Sequence, residues 1–208
     1  QVQLLTGSTT FSSQFTQTAG STLLNGGALV FGLTGQIQGG TLGGVGTISG
    51  SVNNSGGTLA PGLSPGVLNS GNVTLGSSST FAVEIAGDGV AGNSNGYDQL
   101  NVTGTVTISS ATLALDFTGL TAGELSTGQT FVILNNDSTD AVTGTFSGKA
   151  EGATAATNVA GSGRDLTISY AGGTGNDVIL TVGSSAPTAV TLMEFAAAAH
   201  PSGGVTVK

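Results

Sequence analysis

The chain has 208 residues, among them 37 glycines, and its three Lys or Arg against eleven Asp or Glu give a net charge of −8. Hydrophobic residues make up 38% of it and aromatic residues only 5%, so the apolar side chains are mostly Val, Leu, Ile and Ala. Phosphate backbones and anionic membranes are held by clustered basic side chains, so this composition argues against nucleic-acid binding and against attraction to such membranes.

The first acidic, basic, histidine or cysteine residue is Glu84. General acid–base catalysis and ordinary metal binding need such groups, so we predict a non-enzymatic protein without a cofactor. The absence of cysteine is compatible with a secreted bacterial protein. The sequence has no apolar run of about 18 residues, so we do not predict a membrane-spanning helix. Because the chain begins at Gln1 without a charged and apolar leader, we interpret it as a mature product whose signal peptide has been removed.

Short runs rich in β-branched residues, separated by Gly, Asn and Ser, predict strands along most of the chain. They cover residues 28–33, 47–52, 72–75, 80–85, 99–102, 105–108, 112–117, 130–134, 165–170 and 177–182. Residues 192–200 are the one stretch with helix-like composition, and they follow a strand-like segment.

Repetition in the first half favours a parallel β-solenoid over residues 1–183. Apolar runs recur around glycine pairs at residues 26–27, 39–40 and 56–57, an irregular spacing typical of β-helices whose turns vary in length. Such coils commonly have about 20–25 residues. Stacked coils place equivalent side chains over one another, so like charges would repel whereas Asn, Ser and Thr can form hydrogen-bonded ladders. A β-sandwich over residues 72–182 is the alternative.

The composition changes at GSSAP, residues 183–187, so residues 184–208 are predicted to be a linker and a β-strand tail. Two strands alone are marginal, which suggests that the tail pairs with another partner, such as a second copy of the chain. The apolar side chains that would make this contact are Val190, Leu192, Phe195, Val205 and Val207.

Several segments together resemble a known family. They include GTLAPGLSPG at residues 57–66 and YDQLNVTG at residues 97–104, within a similarity that runs from about residue 14 to 182. The chain resembles autotransporter-passenger-type β-strand repeat proteins, which are secreted bacterial proteins. This resemblance implies a right-handed parallel β-helix and an extracellular, cell-surface location, whereas APTAVTLMEF resembles the start of a C-terminal immunoglobulin-like module.

Candidate sites are few. GGTGNDVIL at residues 172–180 matches the calcium-binding nonapeptide pattern, with Asp177 as ligand, but a single copy favours a tight turn. Polar loops at residues 88–98 and 135–140 lack the final Glu of an EF-hand and are interpreted as solvated loops. His200, which precedes a proline, is interpreted as an exposed turn residue.

The sequence suggests three hypotheses for the function. The first is a structural subunit that self-assembles into a surface fibre or matrix through end-to-end β contacts. The second is a monomeric adhesin rod that binds cell-surface glycans through a projecting loop such as residues 88–98. The third, a polysaccharide-degrading β-helix enzyme, is disfavoured by thinly spread carboxylates and the lack of Trp.

Overall fold

The computed structural model of the chain describes residues 2–137 and 140–185, which fold as an all-β structure. These residues contain no α-helix, and two 3-10 turns lie at Ala122–Glu124 and Val159–Gly161. No helix among them has the length and apolar character needed to cross a membrane. The strands are β1 (Val2–Leu4), β2 (Ser8–Phe11), β3 (Thr16–Gln17), β4 (Ser21–Phe31), β5 (Gly35–Ile37), β6 (Thr41–Ser49), β7 (Val52–Asn54), β8 (Thr58–Pro61), β9 (Val67–Ser70), β10 (Val73–Leu75), β11 (Thr80–Glu84), β12 (Gln99–Val102), β13 (Val106–Ser109), β14 (Thr112–Asp116), β15 (Thr130–Asn135), β16 (Thr143–Thr145), β17 (Thr154–Ala156), β18 (Arg164–Gly172) and β19 (Asp177–Ser185).

Most of these strands pair in parallel, in three ladders. The first ladder runs through β4, β6, β8, β11 and β14. The second ladder runs through β4, β6, β9, β12 and β15. The third ladder runs through β3, β5, β7, β10, β13 and β16. The chain therefore returns repeatedly to each ladder and adds one strand at each return.

The number of residues between returns increases along the chain. Thr41 pairs with Thr58, 17 positions later, whereas Thr80 pairs with Thr112, 32 positions later. The early spacing equals the 17 positions between the glycine pairs at residues 39–40 and 56–57, and it is shorter than the predicted 20–25 residues. The later spacing is longer because a loop at residues 86–97 lies between β11 and β12.

Two long strands, β4 and β6, belong to both the first and the second ladder. The start of β6 pairs with β8 and its end pairs with β9, so the strand bends between the two ladders. Gly44 lies at this bend with a φ of 99°. A side chain there would be strained and would also clash with the carbonyl oxygen of Leu24, so glycine is required.

The core is a set of apolar columns, because parallel strands in register place inward side chains over one another. In the second ladder Leu68 lies between Leu100 and the backbone of Gly46, and Leu100 in turn pairs with Leu134. These leucines are completely buried. Burying each such side chain stabilises the fold by about 1.5–3 kcal/mol. The core therefore gains its stability from many thin columns and not from one deep cluster of side chains.

Outward positions form the polar ladders that the sequence predicts. In the second ladder the Nδ2 of Asn101 donates to Oδ1 of Asn69 at 3.0 Å, and Nδ2 of Asn135 donates to Oδ1 of Asn101 at 3.1 Å. In the third ladder the Nδ2 of Asn53 donates to Oε1 of Gln36 at 2.8 Å. Uncharged amides are suited to these positions because each one supplies both a donor and an acceptor to its neighbours.

The last strands differ from the prediction that the parallel stack extends to residue 183. β19 pairs antiparallel with both β15 and β18, and β17 pairs antiparallel with β18. The reason is the short connection between β18 and β19, which ends when Gly172 pairs with Asp177. A tight turn can join only antiparallel neighbours, since a parallel pair needs a crossover of a dozen or more residues.

The β-sandwich alternative for residues 72–182 does not fit the pairing observed there. From β9 to β16 the ladder partners are parallel, whereas a sandwich of the immunoglobulin type is built from antiparallel sheets. Antiparallel ladders are confined to β15, β17, β18 and β19, and β15 is also paired in parallel with β12.

We predict that Asn101→Ala lowers the free energy of unfolding by about 1–2 kcal/mol, because it removes two side-chain hydrogen bonds from the middle of a ladder. Urea unfolding followed by circular dichroism measures the change. Thr107→Ala is the matched control, since Thr107 is also a partly exposed position of a β-strand but belongs to the third ladder. Equal effects of the two substitutions would show that the amide ladder does not contribute to stability.

Candidate functional site

The first candidate site is the N-terminal edge, which consists of β1, β2 and β3. Among the described residues β1 and β2 pair only with β4, and β3 pairs only with β5. One side of each strand therefore presents unpaired backbone N–H and C=O groups. Such an edge is a template on which another strand can pair.

An apolar cavity, the end pocket, opens at this edge. Its volume is about 150 Å³, and its walls include Val2, Leu4, Phe11, Phe15 and Leu29. The rings of Phe11 and Phe15 meet edge to face with their centroids 4.8 Å apart. Val2 is 58% exposed, so apolar surface faces solvent at the mouth of this pocket.

The sequence of the N-terminal edge lacks the usual protection against strand pairing. Soluble proteins guard exposed edges with Lys, Pro, inward-pointing charges or bulges. Here the first proline is Pro61 and the first charged residue is Glu84, both far along the chain from β1 to β3. Within the described residues the edge is therefore uncharged and unpaired on one side, with its apolar side chains Val2, Leu4 and Phe11 at the end pocket.

The opposite end of the second ladder has a different character. There the antiparallel strand β19 covers β15, placing Leu180 opposite Phe131, and β18 lies outside β19. The outermost strand is β17, which has only three residues. The two ends of the second ladder therefore differ, since one ends in a parallel strand and the other in antiparallel strands.

A second candidate site is the carboxylate groove, an open depression of about 320 Å³ beside β8, β11 and β14. Its floor consists of Ala60, Ala82 and Ala114, and its rim includes carboxylates. Glu84 and Asp116 occupy paired positions on neighbouring parallel strands. Two carboxylates side by side make this corner of the groove acidic, and their like charges repel each other.

Asp98 lies at the base of the carboxylate groove and is only 6% exposed. Its Oδ1 accepts the N–H of Gly66 at 2.8 Å, and its Oδ2 accepts the N–H of Glu84 at 2.9 Å. The carboxylate thus ties the turn after β8 to the end of β11. Both oxygens are engaged by the main chain, an arrangement suited to holding the turn.

The pKa of Asp98 is raised to about 6. Burial is the largest cause, the N–H donors of Glu84 and Gly66 act against it, and the negative charge of Glu84 adds to it. By contrast, a hydrogen bond from the Thr118 hydroxyl lowers the pKa of the exposed Asp116. Two neighbouring carboxylates therefore titrate in different ranges because one is buried and the other is not.

The calcium candidate Asp177 is buried and opens β19. Its Oδ1 accepts the N–H of Asn136 at 2.8 Å, and its Oδ2 accepts the N–H of Thr174 at 3.3 Å. The GGTGNDVIL segment forms the turn between two antiparallel strands, whereas the calcium pattern belongs to parallel coils. Over residues 2–137 and 140–185, no three His, Cys, Asp or Glu side chains gather as a metal-ligand group.

The loop at residues 88–98 is ordered by its own backbone. Gly89 N–H donates to the Asn95 carbonyl at 2.8 Å, and Ala86 N–H donates to the Gly96 carbonyl at 2.9 Å. Val90 projects from it and is 67% exposed. The second polar loop, at residues 135–140, contributes Asn136, whose side chain donates to the carbonyl of Asp140 at 2.9 Å.

The predicted assembly contacts lie outside the described residues. They are Val190, Leu192, Phe195, Val205 and Val207, and His200 lies outside as well.

Sequence reasoning missed both the end pocket and the role of Asp98. Phe11 and Phe15 are close in the sequence and could have indicated an aromatic cluster, but their position at an open edge depends on long-range pairing. The segment YDQL contains Asp98 directly before a strand, yet its partner Gly66 is 32 positions away. No local signal identifies that contact.

Comparisons with known proteins identify no relative. No protein-family model, no curated protein and no solved structure matches the chain.

We predict that the protein is more stable at pH 5 than at pH 7.5, because the pKa of Asp98 is about 6 in the folded state against about 3.9 in an unfolded chain. The folded state then binds the proton more tightly, so this stabilisation is complete below the unfolded value and is lost as the pH rises through 6. We expect a difference of about 1 kcal/mol in urea unfolding.

Asp98→Asn should remove this part of the pH dependence, whereas the control Asp116→Asn should retain it. If Asp98→Asn has the same slope as the unsubstituted protein, Asp98 does not titrate in this range.

We predict that Asp177→Asn lowers the free energy of unfolding by about 1–3 kcal/mol, because an amide cannot accept both N–H groups. The loss should be the same in about 1 mM calcium and in chelator, and the exposed control Asp88→Asn should change little. The measurement is thermal unfolding of all three proteins. Stabilisation of the unsubstituted protein by calcium that disappears in Asp177→Asn would instead assign a calcium site to Asp177.

Proposed function

We propose that the protein is a non-enzymatic, extracellular structural protein that self-assembles end to end into a surface fibre or matrix. The observation that carries this proposal is the N-terminal edge, whose three strands are uncharged, have no partner on one side among the described residues, and carry exposed apolar surface at Val2. An edge of this kind gains backbone hydrogen bonds and buries apolar surface when a second copy pairs with it.

In this proposal the three parallel ladders are the sides of a right-handed β-solenoid. The repeated return to each ladder, every 17 to 36 residues from Thr41–Thr58 to Thr107–Thr143, supports coils of variable length. The right hand and the extracellular location rest on the resemblance to autotransporter passengers. Charge-free Thr and Asn columns suit such a rod, because charged columns would repel along its length.

End-to-end contact between copies would be heterologous, since the two ends of the described structure differ. A heterologous contact that does not close into a ring produces a filament. The partner is therefore a second copy, and residues 184–208 are proposed to supply strands to it by β-augmentation.

The alternative is a monomeric adhesin rod that binds cell-surface glycans. One observation favours it: the loop at residues 88–98 projects the exposed Val90. The groove lacks the stacked aromatic rings on which sugar faces commonly rest, so this second proposal has less support than assembly.

We predict that the purified protein forms filaments whose axial repeat is on the order of 40 Å, the thickness of the nine strands stacked from β2 to β17. Negative-stain electron microscopy measures the repeat. Gln3→Lys combined with Thr10→Lys adds charge to β1 and β2, and we expect this variant to remain as short rods.

The control combines Thr47→Lys and Thr107→Lys, which add the same charge to outward positions of the second and third ladders. It should still form filaments. Discrete rods at all concentrations of the unsubstituted protein would contradict self-assembly and favour the adhesin.

A further inference from the structure

The end pocket has the dimensions of an aromatic ring. Its volume is about 150 Å³ and its lining is mainly aliphatic and aromatic. An enclosed apolar cavity of about this size can bind benzene, so the end pocket matches a phenyl group in volume. The rings of Phe11 and Phe15 in its wall can add edge-to-face contacts to such a group.

The chain itself contains one phenylalanine to match it. Seven of the eight phenylalanines lie in the described residues, where all seven belong to the core or pack against it. The eighth is Phe195, which is also the single aromatic residue after Ser185. Its neighbours Leu192 and Met193 make this the most hydrophobic part of residues 184–208.

Reach favours a second copy as the donor. β19 ends at Ser185, and the second ladder places six strand spacings between it and β2, or about 29 Å. The ten residues from Ser185 to Phe195 span at most about 33–36 Å when fully extended. A molecule could reach its own end pocket only with a nearly straight chain, whereas a copy stacked on β17 places its N-terminal edge three strand spacings from β19, or about 14 Å.

We propose that the end pocket of one copy binds the phenyl ring of Phe195 from a second copy, while residues beside it pair with the N-terminal edge. This inference rests on the proposed assembly and specifies its contact. The carboxylate groove is a poor competitor for this ring because Glu84, Asp98 and Asp116 line it.

The chain has no cysteine, so single cysteines can map the contact. Full-length Gln3→Cys, at the wall of the end pocket, is mixed with full-length Glu194→Cys under mild oxidation. We expect a disulfide-linked heterodimer. Replacing Gln3→Cys by Thr154→Cys, an equally exposed position on β17, is the control and should give none.

The ring is tested by adding Phe195→Ala to the Glu194→Cys chain, which should lower the heterodimer yield about tenfold or more, because burial of the phenyl group is lost. Phe195→Leu should retain part of the yield. Thr9→Phe, which fills the end pocket from its own wall, should also block the link, and it leaves the tail sequence intact.

The outcomes separate the two proposals. Filaments with the Gln3–Glu194 link, lost in Phe195→Ala, support both. Filaments in which Glu194→Cys does not link to Gln3→Cys overturn the Phe195 contact but leave self-assembly standing. A double variant that closes within one molecule at high dilution overturns the second-copy donor, and the absence of both filaments and links overturns the assembly itself.

Discussion

Parallel backbone pairing in register is the constraint on which the rest of this structure depends. The N–H of Val52 donates to the carbonyl of Asn72 at 2.8 Å, and Val73 donates to Thr105 at 2.9 Å, so each strand is held by the next return of the chain. Because such strands lie about 4.8 Å apart, every side chain is directly over its equivalent. Inward positions then become apolar columns and outward positions become amide or hydroxyl ladders. The same spacing disfavours charged side chains, because equivalent charges on successive strands would repel. This explains why the strands before Glu84 contain no charged residue.

The two ends give the molecule its direction. At one end the ladders stop at β1, β2 and β3 with their backbone groups unpaired, and at the other end antiparallel strands cover the second ladder. Among the described residues, the first and third ladders also end in strands with one partner each, β14 and β16, so only the second ladder is covered at its far end. The proposed fibre uses the interaction that folds the chain, continued between molecules, and it needs no separate binding site. The end pocket adds specificity, because strand pairing alone would accept many partners.

Strand positions could be predicted from the sequence more fully than strand partners. Runs of β-branched residues predicted β12 at residues 99–102 and located β11, β14, β15 and β19 to within three residues at either end. The glycine pairs at residues 39–40 and 56–57 precede β6 and β8 as turns, whereas the pair at 26–27 lies inside β4, at its bend. The three glycine pairs look alike in the sequence, so a local pattern does not distinguish a turn before a strand from a bend inside one. The antiparallel pairing of β18 and β19 was missed because alternation in a strand does not encode its partner's direction. The contact of Asp98 with Gly66 was missed for a related reason, since it depends on which strands are neighbours.

The parallel register of neighbouring strands can be tested with pairs of cysteines, because the chain itself contains none. Thr74 and Thr107 face outward on adjacent strands of the third ladder, and Thr143 lies one strand further on. A disulfide requires Cα atoms about 4.4–6.8 Å apart, so adjacent strands permit it and a separation of two strands, about 9.6 Å, does not. The decisive measurement is the extent of intramolecular disulfide formation in Thr74→Cys/Thr107→Cys and in Thr74→Cys/Thr143→Cys. The structure predicts closure of the first pair and not of the second. Closure of the second pair, or failure of the first in a folded protein, would contradict the parallel stack.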